Sequence, residues 1–439
     1  MSMVVKNNMS AVSTLNTLNK NSSALASSLK KVSSGMKINS AADDASGYAI
    51  SERMRVQIRG LDQANQNTQN GTSMMKVAEG AVSSTVDILK TLKEKVINAA
   101  NDTNTDSDRA TIQKELDQSI DQINDNANVT YNGKYLVDGS HNAKVTATTT
   151  SMTNESLSST TMGTTKFCDM KDRNGNSLNI QKSDTITMSI VREGKTTTYS
   201  VRGSQTLKDL VNCATANGAN GEKALLSTTI TSGSHIGKDI AGDSVSTADG
   251  GNALTITAAK AGVTSQISGI TFSVTNTKGQ VQKSANAVLD NFTESIRAQN
   301  DSSDNAISLQ VGTKANQSIR VGLTDMRAEA LGLQSSTGKT IQIGTQQQAN
   351  AAINVLDNAV QKALDQQTTI GSVESRLAYT SSNLTTASEN VQASESTIRD
   401  ADMAKEMTEY TKNNVLLQAA QSMLAQANQS SSSVLSLLQ

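Results

Sequence analysis

The chain has 439 residues, a net charge of −1, no Pro, no Trp and only 2 % aromatic residues. A protein of ordinary composition and this length carries roughly 20 Pro, so the main helix breaker is missing throughout and the core must be built from Leu, Ile, Val, Ala and Met. The near-zero charge excludes the strong field that gathers nucleic acid or an anionic membrane, and no run of about 18 apolar residues marks a membrane span.

The first segment reads as a helix, with Met9, Val12, Leu15, Leu18, Leu25, Leu29 and Val32 recurring at threes and fours. Gly35 is its expected stop, and Asn39–Asp44 reads as a polar turn. A longer helix follows, with a seam through Ile50, Met54, Ile58, Leu61, Thr68, Met75, Ala78, Val82, Val86, Leu89, Leu92, Val96 and Ala99. Asp106 or Ser107 is placed to cap a third helix, whose face carries Ile112, Leu116, Ile120, Ile123 and Ala127. Asn132-Gly133 is a strong turn signal.

After Ser140 the chain turns rich in Thr, Ser and Gly, and the apolar period becomes two. Ile186, Met188 and Ile190, then Tyr199 and Val201 across Glu193-Gly194, read as paired strands. Leu254 and Ile256, and then Ile270, Phe272 and Val274, repeat the pattern, with Lys278-Gly279 as a further turn. Leu207, Leu210, Val211 and Ala214 predict one short helix. Residues 146–165, nearly all Ser, Thr and Met, read as a mobile loop. A helical pattern is expected near Val288–Ile296, and a strand pair at 307–311 and 319–321.

Seven apolar positions then repeat every seventh residue: Leu356, Ala363, Ile370, Leu377, Leu384, Val391 and Ile398. This is the pattern of a long helix packed along one seam, roughly 70 Å long at 1.5 Å per residue. The neighbouring flank is half polar, with Gln367, Glu374, Ser381, Ser388 and Glu395. The last helix carries Met403, Met407, Tyr410, Leu417 and Leu424 and ends in the apolar tail 434–438. One amphipathic helix does not repay its own ordering, so these seams need partners in the same chain, in other subunits, or in both.

Cys168 and Cys213 are too few for a disulfide framework and leave the redox compartment open. The N-terminus lacks the apolar core of a signal peptide. That fits a cytosolic protein, or export without a cleaved signal. His141 and His235 do not begin an H-E-x-x-H motif, and no phosphate-cradling Gly loop occurs. No enzyme activity, cofactor or metal is expected.

Residues 30–61 contain Ser33-Ser-Gly35 and Ile38-Asn-Ser-Ala-Ala-Asp-Asp-Ala-Ser-Gly47, followed by Ala49-Ile-Ser51 and Arg59-Gly-Leu61. This stretch closely resembles bacterial flagellin. Ser396–Glu406, Met423–Asn428 and Val434–Leu438 resemble the flagellin C-terminus, and Asp325–Gly332 resembles a segment common in flagellins of Gram-positive bacteria. The resemblance covers roughly 1–140 and 305–439; 141–300 matches nothing named.

The resemblance implies a mainly α fold with a β-rich insert, in which paired N- and C-terminal segments form a long antiparallel helical rod or coiled coil. It implies a terminal coiled-coil filament-core domain (1–43 with 399–439), a helical rod domain with a small β element (44–140 with 301–398) and a variable, surface-exposed α+β domain (141–300). The helix seam is assigned to Met54, Ile58, Leu61, Leu89, Leu92, Val96, Leu356, Ile370, Leu377, Leu384, Val391 and Ile398. Subunit assembly is assigned to Leu15, Leu18, Leu25, Leu29, Leu417, Leu424, Leu435 and Leu438.

The implied function is a self-assembling filament subunit for motility, exported unfolded through the flagellar channel to the extracellular filament. Its implied partners are other copies of itself, an export chaperone at the C-terminal helix, hook-associated and cap proteins, and Toll-like receptor 5. A hook–filament junction protein is the alternative. Many flagellins carry Q-R-x-R-E-L at the receptor-facing stretch. Here Lys90-Thr91-Leu92-Lys93-Glu94-Lys95 stands there, with Glu115 at a further acidic position. Thr91 and Lys93 give up bidentate Arg contacts and Lys95 gives up an apolar one, which implies weakened recognition.

Overall fold

The computed structural model describes residues 8–216, 231–240, 242–248 and 250–437. In chain order the elements are α1 (Met9–Ser34), α2 (Ala45–Ala99), α3 (Asp106–Ala127), β1 (Thr130–Tyr131), β2 (Lys134–Tyr135), β3 (Ser151–Asn154), β4 (Thr185–Arg192), β5 (Lys195–Arg202) and α4 (Leu207–Ala216). They continue as β6 (Thr231–Gly233), β7 (His235–Lys238), β8 (Ser244–Ser246), β9 (Ala253–Thr257), β10 (Gly269–Thr275), α5 (Lys283–Leu289), β11 (Thr293–Ile296), β12 (Ile307–Gln310), β13 (Ser318–Val321), α6 (Gln346–Arg399) and α7 (Met403–Leu437). The chain divides into two compact units.

One unit holds residues 1–68, 310–317 and 379–439. Asn8 caps α1 by accepting from the Ala11 N–H, and Gly35 ends the helix in the left-handed region at φ 69°. The polar turn that follows is built on two carboxylates. Asp43 Oδ2 accepts from the Ser40 hydroxyl at 3.0 Å and from the Asn39 and Ser40 N–H groups, which holds its carboxyl below the usual range. Asp44 Oδ1 accepts from the Gly47 and Ser46 N–H groups and opens α2. A Cβ on Gly47 would sit 2.5 Å from Asp44 Oδ2 and 2.7 Å from Ile38 Cδ1, so any larger residue must push these side chains aside.

The two linkers of this unit pair with each other: Lys37 N–H donates to Arg399 O at 2.7 Å, and Ala401 N–H to Gly35 O at 2.9 Å. Buried Arg399 donates to Glu52 Oε1 at 2.7 Å and lies over the Tyr48 ring. Leu61, Ala64 and Leu384 form a small apolar core where α2 runs antiparallel to α6. Ser381 Oγ donates to Asn65 Oδ1 at 2.7 Å, and Ser388 Oγ to Asp62 Oδ1 at 3.0 Å.

The other unit holds 69–309 and 318–378. Here α3 runs antiparallel to α2, with Asn126 Nδ2 donating to Ser84 Oγ at 3.1 Å. Arg109 is buried at the turn and donates to the Ala99 carbonyl at the end of α2 and to the Asn101 carbonyl, which also accepts from the Asn104 N–H. The cap of α3 is neither Asp106 nor Ser107. Thr105 is the N-cap, and Asp108 returns the bond to its backbone in a capping box. Met75, Val82, Val86, Leu89, Leu92 and Val96 of α2, Leu116, Ile120 and Ile123 of α3, and Val355, Leu356, Ala359, Ala363, Ile370 and Leu377 of α6 are buried. Lys362 is also buried; its Nζ donates to Ala330 O, beside the mostly buried Glu294, which pairs with Arg297 at 3.6 Å.

The same unit contains two larger antiparallel sheets, ordered β10-β4-β5 and β11-β3-β9-β6. Ile186, Met188 and Ile190 face the core opposite Val274, Phe272 and Ile270. Glu193 (φ 48°) and Gly194 (φ 69°) make the tight turn between β4 and β5. The sheets are tied to α6: Asn354 Nδ2 donates to Ile270 O, Asn358 Nδ2 to Ser268 O, and a Cβ on Gly269 would lie 2.9 Å from Val355 Cγ2.

Besides the α3 cap, two further sequence expectations fail. Residues 146–165 are not simply a loop, because they contain β3, an interior strand with Ser151, Met152, Thr153 and Asn154 all buried. Its hydroxyls are satisfied across the sheet, Thr153 Oγ1 lying 3.1 Å from Thr255 Oγ1. The helix expected at Val288–Ile296 is instead α5, which ends at Leu289 and is followed by β11. Cys168 carries a free thiol, pushed up by burial; the Cys213 side chain lies outside the described residues.

Candidate assembly surface

The helices α1 and α7 pair antiparallel through polar rungs. Asn8 Nδ2 donates to Ala427 O (3.1 Å), Asn21 Nδ2 to Leu416 O (3.3 Å), Asn413 Nδ2 to Ser28 Oγ (3.2 Å), and Lys31 faces Glu406 at 3.5 Å. Ser28, Ala420 and Ala427, all small, are the described residues of this pair that are buried.

The large apolar side chains are left with little cover. Leu18, Leu25, Leu417 and Leu424 are half-buried; Leu15 and Leu29 are exposed. Met9, Val12, Met403, Met407, Val415, Leu416 and Met423 are exposed too, Met9 at 71 % and Met423 at 62 %. The Leu435 side chain and Leu438 lie outside the described residues. Val415 and Leu416 were not singled out from the sequence. Their signal was the run Val415-Leu416-Leu417, since three consecutive apolar residues on a helix cannot share one seam.

Of the assigned seam residues, Leu61, Leu89, Leu92, Val96, Leu356, Ile370, Leu377 and Leu384 are buried, and Met54, Ile58, Val391 and Ile398 are half-buried. The polar flank is part of the packing as well. Ser381 and Ser388 bond to α2, and Glu374 has a buried Oε1 without a partner, its carboxyl raised by burial and by Glu79.

In the stretch 90–95, Thr91 and Glu94 are exposed, and Thr91 Oγ1 donates to its own helix at Asp87 O. Lys93 is ion-paired with Asp357, and Lys95 with Glu115 at 3.0 Å. Among the described residues there is no group of three or more His, Cys, Asp or Glu that could hold a metal, and no helix long and apolar enough to cross a membrane.

Residues 5–142 match the bacterial flagellin N-terminal helical region, and residues 353–438 match the bacterial flagellin C-terminal helical region. A flagellin of Clostridium tyrobutyricum is 32 % identical over 428 residues, covering 97 % of this chain and 99 % of that one. The chain belongs to the flagellin family. A flagellin of Bacillus subtilis is 29 % identical over 456 residues, covering 99 % of this chain and all of its own length. The crystal structure of flagellar hook associated protein-3 from Legionella pneumophila covers 78 % of this chain and 97 % of its own, at 15 % identity and a TM-score of 0.34, too low to carry any argument. Flagellin is a structural protein, and this chain is a filament subunit.

Proposed function

We propose that the α1/α7 pair is the surface through which copies of this chain join into the filament. The observation that carries this reading is the mismatch on that pair: nine large apolar side chains are exposed, while the buried residues are small. Exposed apolar side chains in this number along one helix pair mark an interaction site. Residues 1–43 with 399–439 then build the filament core, 44–140 with 301–398 surround it, and 141–300 face outward. Hook-associated and cap proteins meet the same helix pair at the filament ends. The subunit leaves the cell unfolded through the flagellar channel, with a chaperone holding α7 beforehand.

Paired Val415→Ser and Met423→Ser substitutions are the test. Both side chains are exposed, so the monomer should keep its helical circular dichroism while losing long filaments under negative stain. Deleting 399–439 should abolish polymerisation. Normal filaments from either protein would defeat the reading. Recognition by Toll-like receptor 5 is weak on this reading, because Lys93 and Lys95 are held by Asp357 and Glu115. Full stimulation of reporter cells by low doses of monomer would overturn it.

A further inference from the structure

Asn-Gly pairs occur five times, at 70–71, 132–133, 174–175, 217–218 and 220–221, the last two outside the described residues. Such a pair carries its own electrophile and nucleophile, the Asn carboxamide carbon and the backbone nitrogen of the unhindered Gly that follows. Reaction needs that nitrogen free, the carboxamide free, and room to bring them together.

The three described pairs differ on each count. Asn70 lies inside α2, where backbone hydrogen bonding fixes the chain, and a Cβ on Gly71 would be 2.7 Å from Leu309 Cδ1, so the following peptide is covered. At Asn174 the turn is open, but the nucleophile is engaged: Gly175 N–H donates to Asp172 O at 3.0 Å. Asn132 and Gly133 form the two-residue turn between β1 and β2, with φ of 51° and 75°. Both are exposed, and nothing lies within 4 Å of where a Gly133 Cβ would point. Among the described residues neither the Asn132 carboxamide nor the Gly133 N–H has a hydrogen-bond partner.

We propose that Asn132 is a self-modification site of the folded chain, reacting with Gly133 and water. The Gly133 nitrogen attacks Asn132 Cγ, so an N–Cγ bond forms and the Cγ–NH2 bond breaks. Ammonia leaves with the proton from the Gly133 nitrogen, and a five-membered succinimide results. Water then adds at either ring carbonyl and opens the ring to Asp or to isoaspartate; nothing is oxidised or reduced. The isoaspartyl product lengthens the backbone within a turn of only two residues. It cannot keep the pairing of Tyr131 with Lys134, so the small hairpin opens at the foot of the buried Leu136 and Val137.

Peptide mapping by mass spectrometry tests this on the full chain, incubated at mildly alkaline pH in buffer and, in parallel, in urea. In buffer, Asn132 should convert several-fold faster than Asn174 and Asn70, with an isoaspartyl product. In urea the three sites should converge, because all are then plain Asn-Gly. Conversion of Asn174 or Asn70 as fast as Asn132 in buffer would overturn the proposal, as would the same ranking persisting in urea.

Discussion

Replacing Asp290 by Asn should stabilise the unit that contains it. Asp290 follows α5, largely buried, and its carboxyl is pushed up to about 6 by burial, only partly offset by the Phe272 N–H at 2.9 Å and the Asn354 amide at 3.4 Å. No cation compensates it among those partners. The folded chain therefore binds this proton more tightly than the unfolded chain does. The contribution of Asp290 to stability is greatest where both states are protonated, below about pH 4, falls as pH rises to about 6, and is level above that. The gap from the ordinary 3.8 to about 6 corresponds to about 3 kcal/mol, and because water still reaches part of the group, about 1–3 kcal/mol is the expected gain at neutral pH. Asn keeps an oxygen for the Phe272 N–H and turns its NH2 towards the open cleft lined by Lys283, Asn286 and Asn291. Asn354 stays held by Ile270 O. Urea melts across pH 4 to 7, followed by circular dichroism, should show a higher midpoint for the variant at neutral pH, an unchanged slope, and convergence with the parent at the acid end. A variant less stable at neutral pH, or a difference that ignores pH, would refute the reasoning.

Gly47→Ala should cost about 1–3 kcal/mol by overpacking against Asp44 and Ile38; thermal melts should show it, with part of the loss recovered by trimming Ile38 to Val. Lys362→Met should destabilise by about 2–3 kcal/mol, because Glu294 stays mostly buried with only Arg297 beside it. Adding Glu294→Gln should recover most of that loss in the same urea assay, and a purely additive double variant would exclude the coupling.

The helices were legible because their apolar period runs unbroken over long stretches, as from Met75 to Val96. What the sequence hid follows from how the residues are used. Ser151–Asn154 is buried on both faces, so it shows no alternation, and its hydroxyls meet Thr255 and Thr257 a hundred residues away while the Asn154 amide donates to the Val288 and Leu289 carbonyls. Thr105 was hidden as a cap because Asp106 and Ser107 are equally good cap types, and only the return bond from Asp108 separates them. Lys362 and Arg399 look like surface cations in sequence. Their burial depends on Ala330 O in one case and on Tyr48 and Glu52 in the other, and no local pattern announces either.

The polar rungs between α1 and α7 bear on fidelity. Small residues at a close helix contact allow sliding, since Ala against Ser packs about as well one turn away. Asn8, Asn21 and Asn413 bias that choice, because a slip would break three amide hydrogen bonds and separate Lys31 from Glu406. The rungs therefore favour one alignment of the pair, in which Met9, Leu15, Val415 and Met423 are exposed. If copies join through this pair, as proposed above, that pattern is copied at every addition, and three asparagines keep a local misalignment from becoming a lattice defect.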